Sequence, residues 1–247
     1  MRPVSGGAPK ELLSVGGTPL IVHALLEAAA SGYEEAFLVL SPPKQSLLPW
    51  LRTETPAGLQ VNPVLQPSPL GLADAQDRCR KFLDGEPFAV LLPDTVFVGA
   101  EPGLLQVKKA FEKTGVDTLG LIRVRANDRF SNCGAVETEP LKSGSLHALR
   151  SLAPKKPGRF LVPPGETRLR TFPRSIFLPH YFQFVDMVKE TLPQGEELDD
   201  VPVLRKLIQT VDAIGVELSG RGFDAGTPEG LGRARRYFDE SGMRPVV

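Results

Sequence analysis

The stretch Phe88-Ala89-Val90-Leu91-Leu92-Pro93-Asp94-Thr95 decides how the rest of the chain is read. It is an unbroken apolar run that ends in a proline and a carboxylate. A continuous run of this length suits a strand buried on both faces of a parallel sheet. Pro93 has no N–H to give to a ladder, so pairing stops there. Asp94 then lies just past the carboxyl end of a central strand, on the rim where open α/β sheets bind ligands. A carboxylate held there suits a magnesium ion, which takes hard oxygen ligands and usually brings phosphates with it. The plainer alternative is a turn aspartate, since Asp is common after strands.

Upstream, residues 36–40 and 59–65 read as two more strands, the first closed by Pro42-Pro43. Thr18 as N-cap with Pro19 at the first helical position opens a helix. Its stripe is Leu20, Ile21, Ala24, Leu25 and Ala28, and it stops at Gly32. A short helix over 45–51 and another over 72–83 fall between strands, and residues 1–11 read as loop. Downstream, 103–113 is helical up to Gly115, and 118–124 is a strand. This βα alternation predicts an α/β chain with a parallel, doubly wound sheet. The second half changes character. Strand-like pieces at 134–137, 146–152, 169–172 and 175–178 predict antiparallel insertions. Helices over 181–191 and 201–210, a last strand over 211–217 and a helix from Thr227-Pro228 to Phe238 complete the chain.

Composition narrows the function classes. Lys plus Arg and Asp plus Glu number 29 each, so no basic excess suits nucleic acid. The 24 prolines and 24 glycines imply ordered loops, because the apolar content is normal for a globular chain. Cys79 and Cys133 have no metal-ligand spacing and read as reduced thiols of a cytoplasmic protein. No apolar run is long enough for a membrane span, and Met1-Arg2-Pro3 leads into no signal-peptide core.

Two further elements lie at strand ends. Gln66-Pro67-Ser68-Pro69-Leu70-Gly71-Leu72-Ala73 stands between a strand and a helix. Gly71 would let backbone approach a flat ligand, and Gln66 offers the donor and acceptors that reading a nucleobase edge requires. A proline-rich turn is the competing reading. Gly222-Phe223-Asp224-Ala225-Gly226-Thr227-Pro228 places Asp224 shortly before a helix, where it could simply be a turn or capping aspartate. Asp94 and Asp224, at strand ends of one sheet, could instead converge on one metal.

Taken in order, four segments resemble the sugar-1-phosphate nucleotidylyltransferases, and within them the bacterial UTP–glucose-1-phosphate uridylyltransferases. They are Pro9-Lys10-Glu11-Leu12-Leu13 with Pro19-Leu20-Ile21; Gln66 with Pro69-Leu70-Gly71-Leu72; Phe88 through Asp94; and Phe223 through Pro228. Gly195-Glu196-Glu197-Leu198 is similar to a further family segment. The resemblance spans almost the whole chain. It implies a three-layer α/β/α, mostly parallel, Rossmann-like and glycosyltransferase-A-like fold in one domain. Residues 1–125 would form the nucleotide-binding half and 126–247 the sugar-binding half.

The resemblance also implies site roles. Lys10 and Asp94 would be catalytic, with Lys10 facing the phosphates. Gln66, Pro69, Leu70 and Gly71 would hold the nucleotide. Asp94 and Asp224 would bind Mg2+. Gly134 would touch the sugar, and Lys155 or Lys156 its phosphate. The substrates implied are UTP and a sugar 1-phosphate, with neither nucleic acid nor membrane as partner; a homo-oligomer stays open. The family's Glu-Lys-Pro motif is met here by Ala153-Pro154-Lys155-Lys156-Pro157, where the glutamate has no clear equivalent. The family also opens with a strand and a Gly-x-Gly-Thr-Arg loop ahead of a segment like Met1-Arg2-Pro3, and this sequence shows neither. Two readings follow: a truncated or mis-started version of a working enzyme, or a shortened non-catalytic relative that binds nucleotide sugar.

Overall fold

From the amino end, a short hairpin, β1 (Ser14–Val15) and β2 (Thr18–Pro19), leads into α1 (Leu20–Ala30). β3 (Glu35–Leu40), α2 (Leu48–Glu54), β4 (Gln60–Leu65) and α3 (Leu72–Asp77) follow. Then come β5 (Phe88–Leu91), β6 (Thr95–Val98), α4 (Gly103–Thr114) and β7 (Asp117–Arg125). The second half holds β8 (Val136–Pro140), β9 (Leu146–Leu152), β10 (Thr167–Phe177), α5 (Tyr181–Thr191) and α6 (Asp200–Thr210). It ends with β11 (Ala213–Glu217), β12 (Arg221–Asp224) and α7 (Pro228–Ser241). The computed structural model describes residues 9–142 and 144–242, so the loop read over 1–11 lies, up to residue 8, outside the described residues.

Six strands form the main sheet in the order β5-β10-β7-β11-β9-β8. β5, β7, β11 and β8 run one way, while β10 and β9 run the other. The opposed strands are interleaved, so β7 and β11 are the only parallel neighbours in that described sheet. The expected α/β architecture is present as a mixed sheet with helices on both faces. β3 and β4 pair in parallel as a separate ribbon.

The strand buried on both faces is β7, not β5. Leu119 and Leu121 face the layer of α5 and α6, whereas Ile122 and Val124 face α4, as a period of two requires. β5 pairs with β10 alone among the described strands, and only Phe88 in it is fully buried. Its apolar run reflects one aromatic face: Phe88 stacks on Phe182 at 5.1 Å and meets Tyr181 edge-on at 5.7 Å.

Other boundaries differ for local reasons. The two pieces read over 169–172 and 175–178 are one strand, β10, with an irregularity between Phe172 and Ser175. Pro173 stands there, where a residue without an N–H is tolerated. Thr18 pairs with Val15 in the hairpin, and Pro19 takes the cap position of α1. Thr227 does cap α7, accepting from the Gly230 N–H at 3.1 Å. β6 and β12 are absent from the sequence reading, being four residues each and, in β12, polar. No helix among the described residues is long and apolar enough to cross a membrane.

Candidate active site

β6 and β12 build the site. The chain leaves β5 at Leu91, and Thr95 closes the turn by donating from its N–H (3.3 Å) and Oγ1 (2.9 Å) to the Leu92 carbonyl. β12 then pairs antiparallel with β6, with Asp224 directly across from Thr95. Two residues far apart in sequence, Asp94 and Asp224, thereby become neighbours. A methyl group added to Gly226 would lie 2.8 Å from Asp94 Oδ2 and 3.3 Å from Asp224 Oδ1. Both carboxylates thus reach one point above a residue that has no side chain to fill it. The other oxygen of Asp224 is fixed by the Ser131 N–H at 2.8 Å.

Lys10 completes this cluster. A 3₁₀ turn over Lys10–Leu12 turns Glu11 inward, where it accepts from Lys44 at 2.7 Å, and turns Lys10 outward. Lys10 Nζ donates to Asp94 Oδ2 at 2.5 Å. Burial works against the ammonium, but Asp94 outweighs it, with help from Glu11 and Asp224, and holds the Lys10 pKa above its usual value. Lys10 is therefore charged at neutral pH. Among the described residues no cluster of three or more acidic, His or Cys side chains suits a metal. Two carboxylates are nevertheless what a magnesium ion commonly takes from protein when phosphates and water supply the rest.

The loop 131–134 joins this cluster to the residues that the resemblance assigns to the sugar phosphate. Gly134 has φ +78°, and a side chain there would strike Thr171 Oγ1. Arg170, 5% exposed, clamps the loop by donating from Nε (3.2 Å) and Nη2 (2.9 Å) to the Cys133 carbonyl. The Lys156 N–H donates to the Asn132 carbonyl at 3.0 Å, which seats the Lys155-Lys156 segment beside the loop. Lys155 Nζ donates to Asp199 Oδ2 at 2.9 Å. Gly134, Lys155 and Lys156 are thus brought together, although no ion pair links either lysine to Asp94 or Asp224 among the described residues.

Asp199 caps α6, and Asp200 follows it. Burial opposes ionisation of Asp199, yet Lys155 and the Asp200 N–H hold its carboxyl below the usual range. Asp200 goes the other way, pushed up to about 7 by burial and by the Asp199 carboxylate. In the unfolded chain Asp200 titrates near the ordinary aspartate value of about 4. A carboxyl raised on folding costs stability progressively as pH climbs from about 4 to about 7. Asp200→Asn is therefore expected to raise the urea midpoint by an amount that grows across that window and is flat above it. Equal gains at pH 4 and pH 8 would show that Asp200 is not the group responsible.

Among the residues that the resemblance assigns to the nucleotide, Gln66 follows β4 and extends it, its N–H donating to the Leu40 carbonyl at 2.9 Å. Pro69 and Leu70 are exposed. Gly71, at φ +106°, makes room for the backbone of Leu198, which a side chain would overlap. Leu198 binds this loop on both sides, donating to the Leu70 carbonyl at 2.7 Å and accepting from the Ala73 N–H at 3.0 Å. The sequence reading missed Ser131, Arg170, Asp199 and Gly226. Only Gly226 carried a signal, inside the Asp224-Ala225-Gly226-Thr227-Pro228 motif. Two of the three histidines serve the structure: His23 donates to the Val15 carbonyl at 2.9 Å, and His180 bonds Asp117 at 2.6 Å.

Comparisons with known proteins identify the family. UTP–glucose-1-phosphate uridylyltransferase from Mycoplasma pneumoniae (strain ATCC 29342 / M129 / Subtype 1) is 27% identical over 260 residues, covering 96% of this chain and 87% of that protein. The Bacillus subtilis (strain 168) enzyme of the same name is 25% identical over 251 residues, covering 93% and 83%. A crystal structure of a UDP-glucose pyrophosphorylase complexed with UDP-glucose superposes with TM-score 0.80 at 23% identity, covering 94% of this chain and 91% of that one, and so shares the fold. The family model described as Nucleotidyl transferase matches residues 1–155. That match takes in Lys10, Gln66, Asp94, Gly134 and Lys155, and the chain belongs to the nucleotidyl transferase family.

Proposed function

We propose that the chain transfers a uridylyl group from UTP to glucose 1-phosphate or a related sugar 1-phosphate, giving a UDP-sugar and pyrophosphate. The observation that carries this reading is the convergence of Asp94 and Asp224 on Gly226, with Lys10 paired to Asp94. The uridylyltransferases named above support the choice of UTP and glucose 1-phosphate. A phosphate oxygen of the sugar phosphate attacks the α-phosphorus of UTP in line; a new P–O bond forms as the bond from the α-phosphorus to the α,β-bridging oxygen breaks, and pyrophosphate leaves with that oxygen and the bonding electron pair. Such transfers need positioning and charge neutralisation more than a protein nucleophile.

Asp94 and Asp224 fit a magnesium ion by their donor chemistry, and the ion would neutralise the triphosphate they receive. The Ser131 N–H fixes one oxygen of Asp224 and leaves the other turned toward Asp94. Lys10 is the cation placed to meet phosphates at that spot. Lys155 or Lys156, beside Gly134, would offset the charge of the sugar phosphate. Residues 1–125 would thus serve the nucleotide and 126–247 the sugar. Two free cysteines, Cys79 and Cys133, fit a reducing cytoplasmic setting.

The test is pyrophosphate release with UTP and glucose 1-phosphate. Release is expected with Mg2+ and not with EDTA. No release with any pairing of nucleoside triphosphate and sugar 1-phosphate would end the enzyme reading.

A further inference from the structure

We propose that Asp74 is a positioning residue that sets base choice, by locking the side-chain amide of Gln66 with its oxygen outward. The inference rests on the reading of Gln66 as the residue that meets the base. Gln66 Nε2 donates to two groups, the Gly71 carbonyl at 2.9 Å and Asp74 Oδ2 at 2.9 Å. A carbonyl and a carboxylate only accept. A flipped amide would turn its oxygen on both, so chemistry alone settles which way it points. Both N–H donors are then spent, and Gln66 Oε1 accepts no hydrogen bond among the described residues.

Asp74 is itself held rigidly. Its side chain is 12% exposed, with Arg78 Nε at 3.0 Å from Oδ2. Arg78 Nη2 lies 3.3 Å from Oδ1, and the Asp74 N–H donates to the Leu198 carbonyl at 3.3 Å. A carboxylate gripped by a guanidinium keeps its role as acceptor. Gln66 is therefore not an adaptable amide. It presents one fixed acceptor, which suits a base that turns a ring N–H toward it, as uracil and thymine do at N3. Cytosine turns a bare ring nitrogen there, and two acceptors repel.

The experiment measures UTP and CTP side by side on the full chain, as binding by calorimetry and as kcat/KM with glucose 1-phosphate. Asp74→Asn can offer either a donor or an acceptor, so of the two acceptors that fix the Gln66 amide only the Gly71 carbonyl still opposes a flip. The UTP:CTP preference is expected to fall about tenfold or more, the scale of one mispaired hydrogen bond. Asp74→Ser, whose hydroxyl also does both, is expected to relax it likewise, so the test does not rest on one variant folding. Asp74→Glu, acceptor-only, is expected to keep most of the preference, which loss of local packing alone would not do. A preference unchanged in both Asp74→Asn and Asp74→Ser overturns the lock. If Gln66→Ala removes the preference in the same experiment, the reading of Gln66 stands and only the lock has failed. If Gln66→Ala leaves it intact, Gln66 does not meet the base and both fall.

Discussion

Asp94→Asn is expected to lower kcat/KM for nucleotidyl transfer about a thousandfold, the scale of several kcal/mol of charge stabilisation at the transferring phosphate. The substitution is isosteric and removes one charge from the pair that faces Gly226. It also strips Lys10 of its counter-ion, so the cluster gains net positive charge while losing an oxygen suited to a divalent cation. Stability should hardly move. The Lys10 side chain is 47% exposed and that of Asp94 24%, and ion pairs so open to water contribute about 0–1 kcal/mol. Steady-state kinetics together with a thermal melt separate the two effects. Turnover within threefold of the parent would remove Asp94 from the mechanism. A collapsed melt would make it a structural residue instead.

The largest stability effect is expected at Glu27, beneath the same site. Glu27 on α1 accepts from Arg174 Nε (2.9 Å) and Nη2 (2.7 Å), and from the Leu104 N–H at the start of α4 (2.9 Å). Arg174 is 1% exposed and also donates to Thr95 Oγ1 at 2.8 Å and to the Thr95 carbonyl at 3.1 Å. One buried ion pair thus ties α1, α4, β6 and β10 together directly beside Asp94. Glu27→Ala leaves a buried guanidinium without its anion and is expected to cost about 3–5 kcal/mol in urea unfolding. The double variant Glu27→Leu with Arg174→Met is expected to recover much of that loss, because two apolar side chains need no counter-charge. A loss below about 1 kcal/mol in Glu27→Ala would mean that water reaches Arg174. Neither Glu27 nor Arg174 stood out in the sequence. An acid on a helix and a base in a strand are ordinary there, and burial of both is a property of the packed chain.

What the residues determine alone is local. The apolar run to Leu92, its end at Pro93, the cap at Thr227 and the glycine after α4 all follow from backbone chemistry. So does the placing of Asp94 and Gln66 beyond strand ends, because those signals act over a few residues, whereas Asp224 is the last residue of a strand the sequence did not reveal. Order along the chain also sufficed for the resemblance that proved to mark the family. What only the tertiary structure decided is who meets whom. Which strand is central depended on long-range pairing: β10 returns between β5 and β7, and β7 rather than β5 takes the doubly buried place. Asp94 reaches Asp224 because two four-residue strands, too short to be legible and in β12 polar as well, pair across more than a hundred residues of chain. Hydrogen-bond partners such as Ser131 for Asp224, Asp74 for Gln66 and Asp199 for Lys155 are set by side-chain reach in three dimensions, and no spacing in the sequence encodes that reach.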